Sequence, residues 1–346
     1  MDDWSFCKDG LLKLSRTFAV PIGMLEDDLE RVVTCGYLLC RIADTVEDRG
    51  DLTLEERDIL YNKFLAVVEQ GVPAEIFESA YRAIAGEDDE EGTLACGLGR
   101  VLVVLGATSP VSQEVCKRWV AEMTRGMAIY SRRQAGDDGV IALNSVADLE
   151  RYCYFVAGTV GQMLTELFLQ HVEKISAEQA LAMREHAEAF GAGLQLVNII
   201  KDMSEDVERG WSFMPGILWN GQGMSPGEMI DPELRAEAHR AVAPVIDRAA
   251  RYLDRALEYA LAIPPGETAI RHFCLVPLWL AVATLREVRG NDDLFLPERK
   301  VKIGRDEVTR LVAECVELAA DNQALRDAYK QLKAQCRAEK SRAAVA

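Results

Sequence analysis

Apolar side chains recur every three to four positions over most of the chain, the spacing that places them on one face of an α-helix. The clearest segments are residues 27–45, 113–131, 149–170, 177–206 and 232–262. Clusters of Val, Ile and Thr between turn residues, which are typical of strands, are nearly absent. The one exception, residues 101–105, we interpret as the buried face of a helix. The pattern therefore predicts an all-α protein.

Three capping-box motifs predict where helices begin. They are Thr53 with Glu56, Ser176 with Gln179, and Ser225 with Glu228, the last with Pro226 at the first helical position. The breaks between helical segments are short, and no internal repeat is visible. We therefore predict one helical domain over residues 1–346.

Composition narrows the function. The chain has 346 residues and a formal net charge of −17, which excludes nucleic acid as a partner because phosphates require a basic surface. Nine cysteines without a CxxC pair favour a reducing, cytoplasmic location. No apolar run reaches the roughly 20 residues that span a bilayer. The longest, residues 273–285, is too short, so we expect no transmembrane anchor.

Two acidic motifs share one spacing. Each places three carboxylates at i, i+3 and i+4, on one helix face: Asp44, Glu47 and Asp48 in the first motif, and Asp202, Glu205 and Asp206 in the second. Like charges at this spacing destabilise a helix unless something neutralises them. Because both segments are otherwise apolar, the carboxylates should face a cavity. The small residues Gly191-Ala-Gly193 before the second motif predict close helix packing.

Further polar residues extend each carboxylate stripe. Tyr37 and Arg41 precede the first motif on its face, and Gln195 and Asn198 precede the second. Paired oxygen ligands favour Mg²⁺, which binds carboxylates together with substrate phosphates. One such motif alone is as readily a solvated acidic face. Two such motifs together favour a site in which carboxylate-bound Mg²⁺ binds a diphosphate and assists its departure as a leaving group.

Three more segments follow the same order along the chain as in a known family. They are Ser15-Arg16-Thr-Phe18, Tyr152-Cys-Tyr-Phe-Val-Ala-Gly158 and Phe273-Cys274-Leu-Val-Pro277. With the two acidic motifs, over about residues 15–310, they resemble the squalene and phytoene synthase family. The Phe-Cys-x-x-Pro segment is most similar to the squalene synthases of that family.

The resemblance implies an isoprenoid synthase fold, a single helical bundle around a central cavity. It also implies that two farnesyl diphosphates couple head to head to presqualene diphosphate, which NADPH reduces to squalene. The six carboxylates of both motifs would hold Mg²⁺, with Asp44, Asp48, Asp202 and Asp206 acting in catalysis beside Tyr152. Residues implied to bind diphosphate are Ser15, Arg16, Tyr37, Arg41, Gln195, Asn198 and Lys201, and those implied to line the cavity are Phe18, Phe273 and Cys274.

Some positions depart from the family pattern. Lys201 occupies a position where family members often carry Arg. The positive charge is retained, but Lys lacks the planar guanidinium that binds an anion through two parallel N–H groups. Tyr154 and Phe155 replace a His-Tyr pair. The prediction that the protein uses NADPH rests on the resemblance alone, which implies Lys302 and Arg305 as the residues that contact it.

Several alternatives stay open at this point. The reaction could stop at presqualene diphosphate or at an unreduced product, dehydrosqualene or phytoene. The chain could also be an inactive helical subunit that binds another biosynthetic enzyme, although intact carboxylates count against this. Tyr152, without the resemblance, is more readily interpreted as a core residue. Peripheral membrane contact would let an apolar product leave.

Overall fold

Helices make up nearly all the regular structure of residues 1–15 and 18–335, which the computed structural model describes. The α-helices are α1 (Asp3–Leu14), α2 (Ala19–Ile22), α3 (Asp27–Asp48), α4 (Leu54–Gln70), α5 (Glu75–Ala85), α6 (Glu90–Ala95), α7 (Leu98–Gly106), α8 (Pro110–Tyr130), α9 (Val146–Cys153), α10 (Thr159–His171), α11 (Ala177–Glu208), α12 (Gly216–Asn220), α13 (Arg235–Ala262), α14 (Thr268–Val288), α15 (Arg305–Leu318) and α16 (Asn322–Ala334). The all-α prediction is confirmed, and residues 101–105 lie in α7.

Short irregular elements connect these helices. A π-helical turn, Tyr154–Gly158, joins α9 to α10, and 3₁₀ turns cover Pro226–Ile230, Pro232–Leu234 and Asp292–Phe295. Two short strands, β1 (Ile141–Ala142) and β2 (Trp211–Ser212), pair in parallel. Segment 149–170 is therefore not one continuous helix, because the π-helical turn interrupts it.

Reciprocal side-chain bonds define two helix starts. The Thr53 hydroxyl accepts from the Glu56 N–H at 3.2 Å while the Glu56 carboxylate accepts from the Thr53 N–H at 2.8 Å. Ser176 and Gln179 do the same, so both capping boxes are confirmed. Ser225 instead begins a 3₁₀ turn, with its N–H donating to Glu228 at 2.7 Å. Its predicted box is present but starts no α-helix.

The two acidic motifs lie on α3 and α11, which are at the centre of the molecule. Helix α3 packs against α1, α7 and α8, and α11 packs against α10, α13, α14 and the π-helical turn. One contiguous hydrophobic core, from Cys7 to Leu332, joins these layers. The assignment of residues 1–346 to one domain stays a prediction.

Glycines allow α11 to approach the π-helical turn and α10 closely. A Cβ on Gly191 would lie 2.0 Å from the Ala157 carbonyl oxygen, and one on Gly161 would lie 2.0 Å from the Ala187 carbonyl oxygen. No side chain fits at such distances without moving backbone. The close helix packing expected from Gly191 is thus present, on the face of α11 that leads to the second motif.

Replacing Gly191 by alanine should therefore destabilise the protein. Because the new methyl group meets backbone, we expect a loss of roughly 1–3 kcal/mol or more in the free energy of unfolding. Gly106→Ala is the matched control, since nothing lies within 4 Å of a Cβ there, and it should be neutral or stabilising by up to about 1 kcal/mol. Chemical denaturation measures both, and equal stabilities would contradict the close contact.

Helix α14 is more apolar than its sequence pattern suggested. Among residues 1–15 and 18–335, it is the one helix long and apolar enough to cross a membrane, over 21 residues and not only 273–285. In the folded chain, 72% of its apolar window is buried. Helix α14 thus forms part of the core.

Candidate active site

Both acidic motifs occupy the last turns of their helices, α3 and α11. A helix C-terminus carries partial negative charge, which adds to the repulsion within each motif. The motifs also influence each other. Burial raises the pKa of Asp206 to about 7, and the negative charges of Asp202 and Asp48 add to the shift. Since Asp48 belongs to α3, the two motifs lie close enough for their charges to interact.

The carboxylates of the first motif lie close together, and burial disfavours their charged forms. Burial raises the pKa of Asp44 to about 7 and that of Glu47 well above its usual value. Arg41 lies 3.7 Å from Asp44 and 3.8 Å from Asp48, and it also forms an ion pair with Glu91 of α6. One guanidinium thus serves three carboxylates here, which leaves the motif open to an additional cation.

The second motif differs because each carboxylate has its own cation. Lys201 pairs with Asp202, Arg209 with Asp206 at 2.7 Å, and Lys300 with Glu205 at 2.8 Å. Sequence reasoning missed Arg209 and Lys300. Arg209 lies at i+3 from Asp206, so helical spacing could have revealed this pair. Lys300 lies in the distant segment before α15, and no spacing pattern connects it to Glu205.

Tyr152 connects to the first motif. Its hydroxyl donates a long hydrogen bond, 3.4 Å, to Oε2 of Glu47. The side chain is only 3% exposed. Burial raises the pKa of Tyr152 well above its usual value, and the neighbouring Glu47 charge adds to this. The hydroxyl therefore stays protonated at neutral pH unless a stronger acceptor comes close.

A largely apolar cavity lies beside the first motif. Its volume is about 190 Å³, below the roughly 300–1,000 Å³ of typical ligand sites. Asp44, Tyr37, Gln195 and Asn198 supply polar groups. The apolar lining comprises Phe18, Ile22, Val33, Cys40, Met123, Val156, Ala157, Val160, Gly161, Met163, Leu164, Phe190, Gly191, Leu194 and Phe273. The cavity thus joins a carboxylate end to an apolar chamber.

The N-terminal segment closes one side of this cavity. The Ser15 hydroxyl accepts from the Phe18 N–H at 3.0 Å, and the Tyr37 hydroxyl donates to the Leu14 carbonyl at 3.3 Å. The Phe18 ring lies 6.1 Å from the ring of Tyr37 and 6.4 Å from that of Phe273. Arg16, predicted to bind diphosphate, lies outside the described residues.

Three predicted site residues lie elsewhere. Cys274 is fully buried and is not among the residues that line the cavity, since adjacent residues on a helix point about 100° apart and Phe273 takes the cavity side; its role in the site stays a prediction. Lys302 and Arg305 are exposed near the start of α15. Neither lines the cavity, whereas Lys300, two residues before Lys302, pairs with Glu205.

The carboxylates of the two motifs offer oxygen donors, the ligand type that Mg²⁺ prefers. In residues 1–15 and 18–335, no three His, Cys, Asp or Glu side chains converge on a ready-made metal site. The carboxylates instead form two oxygen-only groups whose charges interact. This suits Mg²⁺, which commonly uses one or two carboxylates and completes its shell with water and substrate phosphates.

Comparison with known families agrees with this geometry. The sequence model of the squalene/phytoene synthase family matches residues 11–307. The chain belongs to the squalene/phytoene synthase family. The resemblance carried by the motifs is thereby confirmed.

Members of this family named as squalene synthases match most of the chain. The Schizosaccharomyces pombe squalene synthase is 28% identical over 312 residues, which cover 90% of this chain and 65% of the relative. The Gibberella zeae squalene synthase is 30% identical, covering 88% of this chain and 62% of the relative. The chain thus spans slightly less than two thirds of the length of these curated relatives.

Solved structures show the same fold. The TcSQS complex with the ligand BPH1237 has a TM-score of 0.80 and 26% identity, covering 98% of this chain and 94% of that one. A dehydrosqualene synthase in complex with a ligand has a TM-score of 0.62 at 21% identity, covering 91% and 95%. The isoprenoid synthase fold expected from the sequence is therefore confirmed.

Proposed function

We propose that this protein couples two farnesyl diphosphates head to head to presqualene diphosphate and reduces this intermediate with NADPH to squalene. One observation carries the proposal: Asp44 of the first motif lines an apolar cavity, Glu47 of the same motif accepts a hydrogen bond from the Tyr152 hydroxyl, and the charge of Asp48 acts on Asp206 of the second motif. The similarity to squalene synthases over most of the chain supports the same reaction.

We assign the carboxylates of both motifs to Mg²⁺, which when bound neutralises a diphosphate and assists its departure. Lys201, Arg209 and Lys300 already lie on the second motif, where they can turn toward diphosphate oxygens. The apolar lining holds the prenyl chains and excludes water from the reacting carbons.

We assign proton transfer in the coupling step to Tyr152. Coupling must release one proton, and a tyrosine hydroxyl is a weak base by itself. A departing diphosphate near the motifs is the stronger acceptor to which the hydroxyl can pass the proton. NADPH is proposed on the similarity to squalene synthases.

Product analysis tests the proposal. With farnesyl diphosphate, Mg²⁺ and NADPH, we expect squalene by mass spectrometry and two diphosphates released for each squalene. Without NADPH, diphosphate release should continue without squalene, and with EDTA it should stop. No diphosphate release under any condition would reject the enzyme function. Formation of dehydrosqualene or phytoene in the presence of NADPH would instead show that the protein makes an unreduced product. Peripheral membrane contact and a cytoplasmic location stay predictions.

A further inference from the structure

The Tyr152 ring is clamped between two other aromatic rings. Phe213 stacks on it, with ring centroids 4.7 Å apart and planes at 23°. Tyr130 meets it edge to face at 5.1 Å and 70°. Both arrangements are favourable for aromatic pairs and contribute about 0.5–1.5 kcal/mol each beyond burial. The direction of the Tyr152 hydroxyl toward Glu47 therefore depends on these two neighbours.

Phe213 is held in place by the backbone that follows the second motif. Helix α11 ends before Gly210, whose φ of 82° lies in the left-handed region that favours glycine. The chain then enters β2, where the Gly210 carbonyl accepts from Ile141 at 2.8 Å and the Ser212 carbonyl accepts from Leu143 at 3.2 Å. Phe213 follows directly, so its ring position is tied to the end of α11.

An outer ring and a hydrogen bond strengthen this arrangement. Trp211 stacks on Phe213 with centroids 5.6 Å apart and planes at 19°. The Ser212 hydroxyl donates to the Met214 carbonyl at 3.0 Å. Three nearly parallel rings, Trp211, Phe213 and Tyr152, thus run from the end of the second motif to the hydroxyl that contacts the first.

The opposite side of Tyr152 is also fixed. The Tyr130 hydroxyl donates to a carboxylate oxygen of Asp148 at 3.0 Å. Arg133 donates to the same carboxylate oxygen at 2.6 Å, and the Asn144 N–H donates to the other at 2.9 Å. The Tyr130 ring is therefore fixed in position, and the Tyr152 ring packs between it and the Phe213 ring.

We propose that Phe213 is a positioning residue that holds the Tyr152 hydroxyl in line with Glu47 and so couples proton transfer to the second motif. This inference rests on the function proposed for Tyr152. Phe213 stacks directly on Tyr152 and is not among the residues that line the cavity, so we expect it to act through Tyr152. Misplacing a catalytic group by about 1 Å can cost roughly a hundredfold in rate.

The test replaces the flat ring. For Phe213→Leu we expect kcat for diphosphate release from farnesyl diphosphate to fall about 10- to 100-fold, with KM nearly unchanged. Phe213→Tyr, which retains a flat ring, should restore kcat to within a few-fold of wild type. Phe77→Leu is the matched control, since it removes a buried ring from α5, a helix that does not line the cavity. That variant should lose stability but keep kcat.

A double-mutant cycle separates positioning from packing. If Phe213 acts through the hydroxyl, Phe213→Leu should add no further loss in a Tyr152→Phe background. Unchanged kcat in Phe213→Leu, or losses that multiply in the double variant, would overturn the inference. Normal kcat in Tyr152→Phe alone would instead reject the role of Tyr152, and this inference with it. Phe213→Met, whose flexible side chain adapts to irregular gaps, replaces Phe213→Leu if that variant does not fold.

Discussion

Replacing Asp48 by asparagine should lower turnover of farnesyl diphosphate by roughly two to four orders of magnitude. Metal-assisted departure of a charged leaving group contributes several kcal/mol of transition-state stabilisation, and each 1.36 kcal/mol is tenfold in rate. Asp48 is exposed at the end of α3, and its negative charge acts on Asp206 of the second motif. It is therefore available to a cation that also contacts substrate. Asp206→Asn should have an effect of similar size. Steady-state diphosphate release over a Mg²⁺ titration measures both.

Glu208→Gln is the matched control for this prediction. Glu208 is an exposed acid two residues from Asp206 on the same helix, and it does not line the cavity. Its removal should leave turnover and Mg²⁺ dependence unchanged. All three variants should keep the wild-type circular dichroism spectrum. Near-normal turnover of Asp48→Asn at ordinary Mg²⁺ concentrations would remove the first motif from the metal site.

The two motifs are alike in sequence but different in their surroundings. In the first, Arg41 is shared among Asp44, Asp48 and Glu91, and the charges of Asp48 and Glu91 still repel that of Asp44. The second pairs each carboxylate with a cation. Stored repulsion of this kind costs stability and is typical of functional sites. A divalent cation therefore relieves more repulsion at the first motif, while the cations of the second remain available to the diphosphate.

Local features of the site could be predicted from the sequence. The i, i+3 and i+4 spacing of the carboxylates needs only helical geometry, and both motifs do lie on helices. The small residues around Gly191 indicated close packing, and this helix does meet backbone there. The two capping boxes were equally local. Each of these predictions depends on residues within about one turn of each other.

Contacts between distant segments could not be predicted in this way. Lys300 and Glu205 are 95 residues apart, and Arg41 and Glu91 are 50 apart. No spacing rule connects them, because loop geometry alone brings them together. The π-helical turn Tyr154–Gly158 likewise has no signal in the hydrophobic pattern. The choice between Phe273 and Cys274 as cavity residue depends on the rotation of α14, which its nearly uniform apolar sequence leaves undetermined.

Tyr152→Phe should abolish most presqualene diphosphate formation while leaving the fold intact. The variant keeps the ring between Phe213 and Tyr130 and deletes only the hydroxyl. Its single hydrogen bond is long, at 3.4 Å, so we expect a stability loss of at most about 1 kcal/mol. General acid–base groups typically contribute roughly 10²–10⁴-fold to rate. Mass spectrometry of products and thermal denaturation measure the two effects separately.

Tyr154→Phe is the matched control. It also removes a tyrosine hydroxyl, two residues after Tyr152, and the Tyr154 side chain does not line the cavity. It should form product at the wild-type rate. If the Tyr152 hydroxyl acts only in coupling, Tyr152→Phe supplied with presqualene diphosphate and NADPH should recover much of the squalene output. Loss of both steps would assign the hydroxyl to a role shared by the two diphosphate departures. Normal presqualene diphosphate formation in Tyr152→Phe would show that the proton leaves by another route, and Tyr152 would then be a core residue whose hydroxyl happens to meet Glu47.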